Sequence, residues 1–200
     1  MPAGLAPVDF ELRRDFLLAH VAPGDRVLDV GCGEGAFMVE LLRAGVEGVV
    51  GVDVAREPLR RARERHPELD LRLLGGEGAW ELEDGSFDVV WAGEVIEHVA
   101  DTAAWLSEVR RVLRSGGRLL LSTPANGRLA LLRAALSRAS FAERFDPLAD
   151  HLRYYSRATL SDLLVEFGFE SIEVRAAGGF LNGLLGPRRL LLARAVRSRF

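Results

Sequence analysis

Short apolar runs alternate with segments of helical spacing along most of the chain, and that alternation predicts the elements in order. Residues 11–20 (ELRRDFLLAH) repeat apolar positions at helical intervals until Pro23-Gly24 stops them, and the run from Arg26 to Val30 predicts a first strand. After a glycine-rich turn, residues 37–45 (FMVELLRAG) read as an amphipathic helix closed by Gly45, and 46–54 (VEGVVGVDV) as a buried second strand. An arginine-rich helix at 56–66 and a strand at 69–74 continue the series, and the turn Asp84-Gly85-Ser86 introduces another strand at 87–93. Asp101 is placed to cap a helix over 101–113 that ends at Ser115-Gly116-Gly117, with RLLLSTP at 118–124 as the fifth strand. Nearly continuous apolar strands alternating with helices predict a mostly parallel sheet covered on both faces, a doubly wound, Rossmann-like α/β fold.

The last third changes character. Residues 157–169 predict a helix ending at Gly168 and 171–177 a strand, while LLLARAVR (190–197) fits a strand or a helix. The strand is preferred, because a terminal hairpin joined by the loop at 178–189 would close the sheet with an antiparallel C-terminal edge strand. Residues 124–150 break the alternation; Arg128, Arg133 and Arg138 among leucines and alanines suggest a small amphipathic cap over a site. Two hundred residues with 48% hydrophobic content suit one domain over 1–200.

Composition removes several chemistries. All 26 basic residues are arginine, so neither a Schiff-base lysine nor the lysine of a phosphate-binding P-loop exists. The single cysteine, Cys32, excludes an internal disulfide and a cysteine metal cluster. No apolar run reaches the roughly 18 to 20 residues of a membrane-spanning helix, and Met1 to Phe10 does not resemble a signal peptide, so a cytoplasmic location is expected. A net charge of −3 gives no general attraction to nucleic acid. After Glu173 there is no acid, while Arg175, Arg188, Arg189, Arg194, Arg197 and Arg199 follow. That basic end could touch a membrane surface weakly, although a solvated terminus is the plainer reading.

The strongest motif is VLDVGCGEGAF at 27–37, a strand running into Gly31, Gly33 and Gly35 and then a helix. Its spacing also satisfies a dinucleotide fingerprint, and Asp53 ends the second strand about 20 residues on, where a carboxylate grips ribose hydroxyls in either case. Charge separates the two. Asp29 and Glu34 would repel a diphosphate, whereas a sulfonium donor such as S-adenosylmethionine carries positive charge and no phosphate. Here the chain resembles the class I S-adenosylmethionine-dependent methyltransferases, especially the small UbiE/UbiG-like enzymes, from about Arg26 to Val174. VLDVGCGEG is similar to their first motif, GVDVA to the acidic end of strand two, DGSFDVVWAGEVIEHVAD (84–101) to the strand-four region, and RRVLRSGGRLLLSTP (110–124) to a segment usually carrying Pro-Gly-Gly, with Ser115 here in place of the proline.

That resemblance implies S-adenosyl-L-methionine as cofactor and a small-molecule acceptor methylated at oxygen, nitrogen or carbon by in-line displacement. It also implies cofactor contacts from Asp29, Gly31, Cys32 and Gly33 in the turn, Asp53 and Val54 after strand two, and Gly93, Glu94 and His98 after strand four. Where relatives offer an aspartate to the adenine this chain has LGGEGAW (74–80), so Glu77 and Gly78 stand in its place. Cys32 reads as a small filler rather than a nucleophile. Asp29 also suits a turn cap, and Glu97 and His98 could orient their loop. Trp80, Trp91 and Trp105 read mainly as core, with Trp80 alone kept as a possible wall against adenine. His151 in ADHLRYYS is the candidate base, with Tyr154 and Tyr155 as candidate substrate contacts. His20 and His66 read as surface helix residues, and no His, Asp and Glu set at metal-ligand spacing is visible. The alternatives are an NAD(P)-dependent oxidoreductase, with Asp29 and Glu34 turned from the phosphates, and a non-catalytic binding subunit.

Overall fold

The computed structural model describes residues 9–75, 79–144, 150–178 and 190–199. Its elements run α1 (Phe10–Leu18), β1 (Arg26–Val30), α2 (Ala36–Arg43), β2 (Gly48–Asp53), α3 (Arg56–Arg65), β3 (Asp70–Leu73), β4 (Phe87–Gly93) and α4 (Thr102–Val112). They continue with β5 (Leu113–Pro124), α5 (Arg128–Leu136), α6 (Arg138–Arg144), α7 (Arg157–Glu166), β6 (Phe169–Ala177) and β7 (Leu190–Arg197).

Among the described residues the strands form one sheet in the order β3-β2-β1-β4-β5-β7-β6. The first five pair in parallel, and β7 runs antiparallel to both β5 and β6. This is the doubly wound, mostly parallel arrangement expected. The C-terminal segment is an antiparallel strand, yet β6, not β7, is outermost. Burial explains the order: Leu190, Leu191, Leu192 and Ala193 are all buried and need strands on both sides, whereas β6 alternates exposed and partly buried positions and tolerates an edge.

Period-two alternation along the strands sorts the core onto two faces. Leu28, Val90, Ala92, Leu119 and Leu121 face α4 and α7, whose Leu106, Val109, Leu160 and Leu164 complete one cluster. Val27, Val89, Trp91 and Leu120 face α1, α2 and α3 through Phe16, Phe37, Met38 and Leu59. Trp91 is fully buried with Phe37 edge-on at 5.3 Å, which makes it core as read. Asp101 caps α4 by accepting from the Ala104 N–H at 2.9 Å.

The Ser115-Gly116-Gly117 turn does not separate α4 from β5 as the sequence suggested. The strand begins at Leu113, opposite Phe87, and resumes at Arg118, opposite Val89, so the residues between bulge out of an already paired strand. Gly116, at φ +76°, permits the bulge. The proposed cap consists in its described part of α5 and α6, with Leu131, Leu132, Leu136 and Phe141 exposed.

The basic C-terminal stretch is not simply a solvated tail. Arg175 lies over the Phe16 ring at 5.4 Å, Arg194 pairs with Glu173 at 3.4 Å, and Arg197 donates to the Arg111 and Leu113 carbonyls. Arg188 and Arg189 lie outside the described residues. No helix among the described residues is long and apolar enough to cross a membrane.

Candidate active site

The strand order reverses direction between β1 and β4, which leaves a crevice beyond their carboxyl ends where open α/β sheets hold ligands. The Gly31–Gly35 turn lines it. The N–H groups of Gly31 and Cys32 both point to the Val52 carbonyl, at 2.8 and 3.1 Å, so the turn is stitched to the end of β2. Gly33 donates its N–H to one Asp53 oxygen at 2.8 Å, and Ala55 donates to the other at 2.8 Å. Each of those oxygens keeps a further lone pair for a ligand.

Two of the glycines carry different constraints. A β-carbon on Gly31, at φ +72°, would lie 2.5 Å from Val95 Cγ2, so packing and backbone both demand glycine there. Gly33, at φ +55°, would meet nothing within 4 Å. The space in front of it is open, as a cradle for a ligand requires.

The acids around this turn sit in different environments. Asp29 is 1% exposed, its Oδ2 has no partner, and burial, with Asp53 adding repulsion, pushes its pKa well above the ordinary carboxylate range. Both effects favour its protonated form. Glu34 pairs with Arg61 at 3.3 Å and with Arg65, so its charge is balanced from α3. Asp53 is the carboxylate hydrogen-bonded to the turn itself, while Glu34 carries two arginine partners and Asp29 lies buried beneath it. Cys32 is buried, and burial raises its thiol pKa, which agrees with a filler and not a nucleophile.

After β4 the chain makes a strained turn. Glu94 holds φ +59°, in the left-handed region, fixed by its N–H to the Ser122 carbonyl at 3.0 Å and by the Ser122 hydroxyl donating to its Oε1 at 2.9 Å. Gly93 precedes it, where a β-carbon would lie 2.8 Å from the Trp91 ring. Burial raises the pKa of Glu94, opposed by the Ser122 hydrogen bond and by Arg13. Glu97 is 1% exposed; Thr123 donates to its Oε2 at 2.9 Å and its Oε1 has no partner. Burial, with Glu94 adding repulsion, pushes its pKa up to about 7.

His98 and His151 meet beside Glu97, their ring centroids 4.8 Å apart and their planes inclined at 66°. The segment bearing His151 is strapped down: the N–H groups of Leu152 and Arg153 donate to the Glu97 carbonyl at 2.8 and 3.1 Å, and the Arg153 guanidinium donates to the carbonyls of Val99 and Ala100. One ligand atom from each of Glu97, His98 and His151 lies within 4.8 Å of the others. No such grouping was visible at ligand spacing in the sequence. Neighbouring Glu97 and His98 gave too short a run, and His151 joins them only through tertiary contacts.

The remaining sites are distributed as follows. Val54 is exposed at the rim. Glu77 and Gly78 lie outside the described residues. Trp80 packs edge-on to Trp105 at 6.5 Å, while its backbone is tied to α4 through Glu108 and Arg111. Tyr154 is exposed; Tyr155 is 6% exposed in the core, bridging to Ala125. His20, just past α1, contacts the Phe16 carbonyl through Nδ1 at 2.7 Å.

Sequence reasoning missed Arg13. It is 4% exposed, lies 5.5 Å over the Phe37 ring, and feels Glu94 and Glu97 electrostatically while burial lowers its pKa. The signal was present: Arg13, Phe16 and Leu17 share the buried face of α1 at helical spacing, so an arginine stood where an apolar residue belonged.

Among solved structures, phosphoethanolamine N-methyltransferase 2 of Haemonchus contortus, crystallised with S-adenosyl-L-methionine, superposes with a TM-score of 0.75 over 99% of this chain and 55% of its own, at 20% identity. The YcgJ protein of Bacillus subtilis does so with a TM-score of 0.71 over 95% of this chain and 100% of its own, at 17% identity. These likenesses show the fold. Among curated proteins, a "probable S-adenosylmethionine-dependent methyltransferase" of Mycolicibacterium smegmatis is 37% identical over 84% of this chain and 62% of its own length. The ubiquinone biosynthesis O-methyltransferase of Nitrosococcus oceani is 35% identical over 70% and 61%. The chain thus spans about three fifths of the length of these curated relatives. The family model described as "Methyltransferase domain" matches residues 8–174, the stretch that carries the glycine cradle, Asp53 and the Glu94–His98 turn, and the chain belongs to that family.

Proposed function

We propose that this chain transfers a methyl group from S-adenosyl-L-methionine to a hydroxyl oxygen of a small molecule. The observation that carries the reading is the glycine turn bonded to Asp53 at 2.8 Å and open in front of Gly33. Asp53 would hold the ribose hydroxyls, the backbone of Gly31, Cys32 and Gly33 would receive the amino-acid portion, and Val54 would offer apolar cover at the rim. Gly93 and Glu94 would close the cradle from the β4 side. Once bound, the cofactor supplies an electrophilic methyl carbon on a sulfonium that leaves as a neutral thioether. The chain's own contribution is then placement of the acceptor and exclusion of water.

An oxygen acceptor fits two features. Ubiquinone O-methyltransferases are among the relatives, and a hydroxyl must lose a proton, for which the chain provides His151 beside His98 and Glu97. Tyr154, exposed three residues beyond His151, stands where it could touch the acceptor, and the exposed leucines of α5 suit an apolar one. Membership in the methyltransferase domain family sets aside the nicotinamide oxidoreductase left open by the glycine spacing. Calorimetric titration with S-adenosylhomocysteine and with NAD tests the cofactor: binding of the first alone is expected, and binding of NAD alone overturns the reading. A labelled-methyl assay over phenolic and other hydroxylated small molecules tests the acceptor; cofactor binding without transfer to any of them would favour the non-catalytic alternative.

A further inference from the structure

We infer, on the methyl-transfer reading above, that Glu108 and Arg111 of α4 are positioning residues: together they clamp Trp80 in place as an aromatic wall for the base of the cofactor's nucleoside. Glu108 accepts the Trp80 N–H on Oε2 at 2.6 Å, and Arg111 donates from Nη2 to the Trp80 carbonyl at 3.0 Å. Both backbone polar groups of Trp80 are thus taken by side chains of α4. The same guanidinium donates from Nη1 to the Leu82 carbonyl at 2.8 Å and pairs with Asp84, while its Nε and Nη2 grip the two Glu108 oxygens at 2.9 and 2.8 Å. In the opposite direction, Gly85 donates its N–H to the Arg111 carbonyl at 2.9 Å.

A planar fork that engages two carboxylates and two carbonyls fixes angle as well as distance, which a flexible ammonium would not do. The Glu108 and Arg111 side chains are only 16% and 26% exposed, so solvent screens their pairing less than that of an open surface pair.

The order of strands places this clamp at the base end of a nucleoside. The glycine cradle follows β1, Asp53 ends β2, and the segment leading to Trp80 leaves β3, the next strand along the sheet. Leu74, at the start of that segment, donates its N–H to the Asp53 carbonyl at 2.9 Å, beside the carboxylate assigned to the ribose. Leu74, Trp80 and Val95 pack, partly buried, against one core cluster, and Val95 is the residue that closes on Gly31. Trp105 braces the Trp80 ring at 6.5 Å. A half-exposed indole held by its backbone and braced on its ring is a rigid surface on which a base can stack.

A clamp that only fastened a loop to a helix would cost stability and leave ligand affinity alone. A clamp that positions the wall makes Arg111 and Trp80 act as one unit in binding, so their substitutions are not additive. The whole chain is titrated calorimetrically with S-adenosylhomocysteine as wild type, Trp80→Ala, Arg111→Gln and the double variant, with indole emission followed alongside. Trp80→Ala and Arg111→Gln should each weaken binding about tenfold, and the double variant should be little worse than either. The emission change that the ligand produces in wild type should vanish in Trp80→Ala and shrink in Arg111→Gln. Arg111→Lys, which keeps the charge without the fork, should recover only part of the affinity. Arg114→Gln breaks an ion pair with Asp88 at the amino end of β4, away from the crevice, and should bind as wild type does. If circular dichroism shows Arg111→Gln unfolded, Glu108→Ala takes its place in the cycle. Equal affinity in wild type and the clamp variant, or additive losses in the double variant, overturns the clamp and leaves the methyl-transfer reading intact. A wild type that binds no S-adenosylhomocysteine overturns that reading and the clamp with it.

Discussion

Gly33 donates its backbone N–H to the Asp53 carboxylate across 2.8 Å, joining a turn after β1 to the end of β2, 20 residues away. Because Ala55 bonds the other oxygen, one side chain fixes the shape of the cradle while retaining lone pairs for a ligand. Asp53→Ala removes both functions, and affinity for S-adenosylhomocysteine, read by calorimetry, should fall severalfold or more. Asp53→Asn keeps one oxygen acceptor and should lose less. Unchanged affinity in the alanine variant would remove the ribose assignment.

Gly31→Ala faces two separate penalties. The left-handed backbone costs an alanine about 1 to 2 kcal/mol, and its methyl would lie 2.5 Å from Val95 Cγ2. Adding Val95→Ala clears the second and leaves the first. Denaturant unfolding should show Gly31→Ala destabilised, with the double variant losing less than the two single losses added together. Simple additivity would mean that the two positions do not touch.

The parallel core was legible because its strands are continuous apolar runs, and Asp53 because a carboxylate ending such a run demands a role. The bulge at Ser115–Gly117 was not, since a glycine pair reads alike as a turn between elements and as a kink within a paired strand. The inner position of β7 was equally hidden: the hairpin pattern suggested the last strand as the edge, whereas β7 meets β5 and leaves β6 outermost. The cluster at Glu97 stayed invisible for a different reason. His98 and the carbonyl that orients it are 52 residues apart, and their meeting depends on a strap of backbone hydrogen bonds that leaves no residue-type signature. The pairing of Glu34 was hidden because its partners, Arg61 and Arg65, sit on another helix.

Asp29 sets the sign of a pH effect. Its pKa in the folded chain is raised well above the ordinary value by burial and by Asp53, so the folded state holds a proton that the unfolded state has released. Stability therefore falls as pH rises from the unfolded pKa, about 4, through the raised folded one. Asp29→Asn mimics the protonated side chain and escapes this loss. Its melting temperature relative to wild type should climb as pH is raised from about 4 towards about 8; a difference that stays constant across that range would mean that Asp29 is ionised in the folded chain.

Glu34 lies in the glycine turn with Arg61 and Arg65 against it, both partly exposed. Removing it with Glu34→Ala should cost no more than about 1 kcal/mol, because solvent screens such pairs. The electrostatic effect is larger than the structural one, since two guanidinium groups beside the cradle would lose their neutralising partner. Adenosine diphosphate should then bind the variant more tightly than it binds the wild type, and the gain should shrink as salt rises towards about 0.1 M, where the screening length is about 10 Å. S-Adenosylhomocysteine, which carries no phosphate, should change much less. Equal diphosphate binding by the two proteins at low salt would place the discrimination in Asp53 alone, and a loss of several kcal/mol on unfolding would make the Glu34 pairs structural.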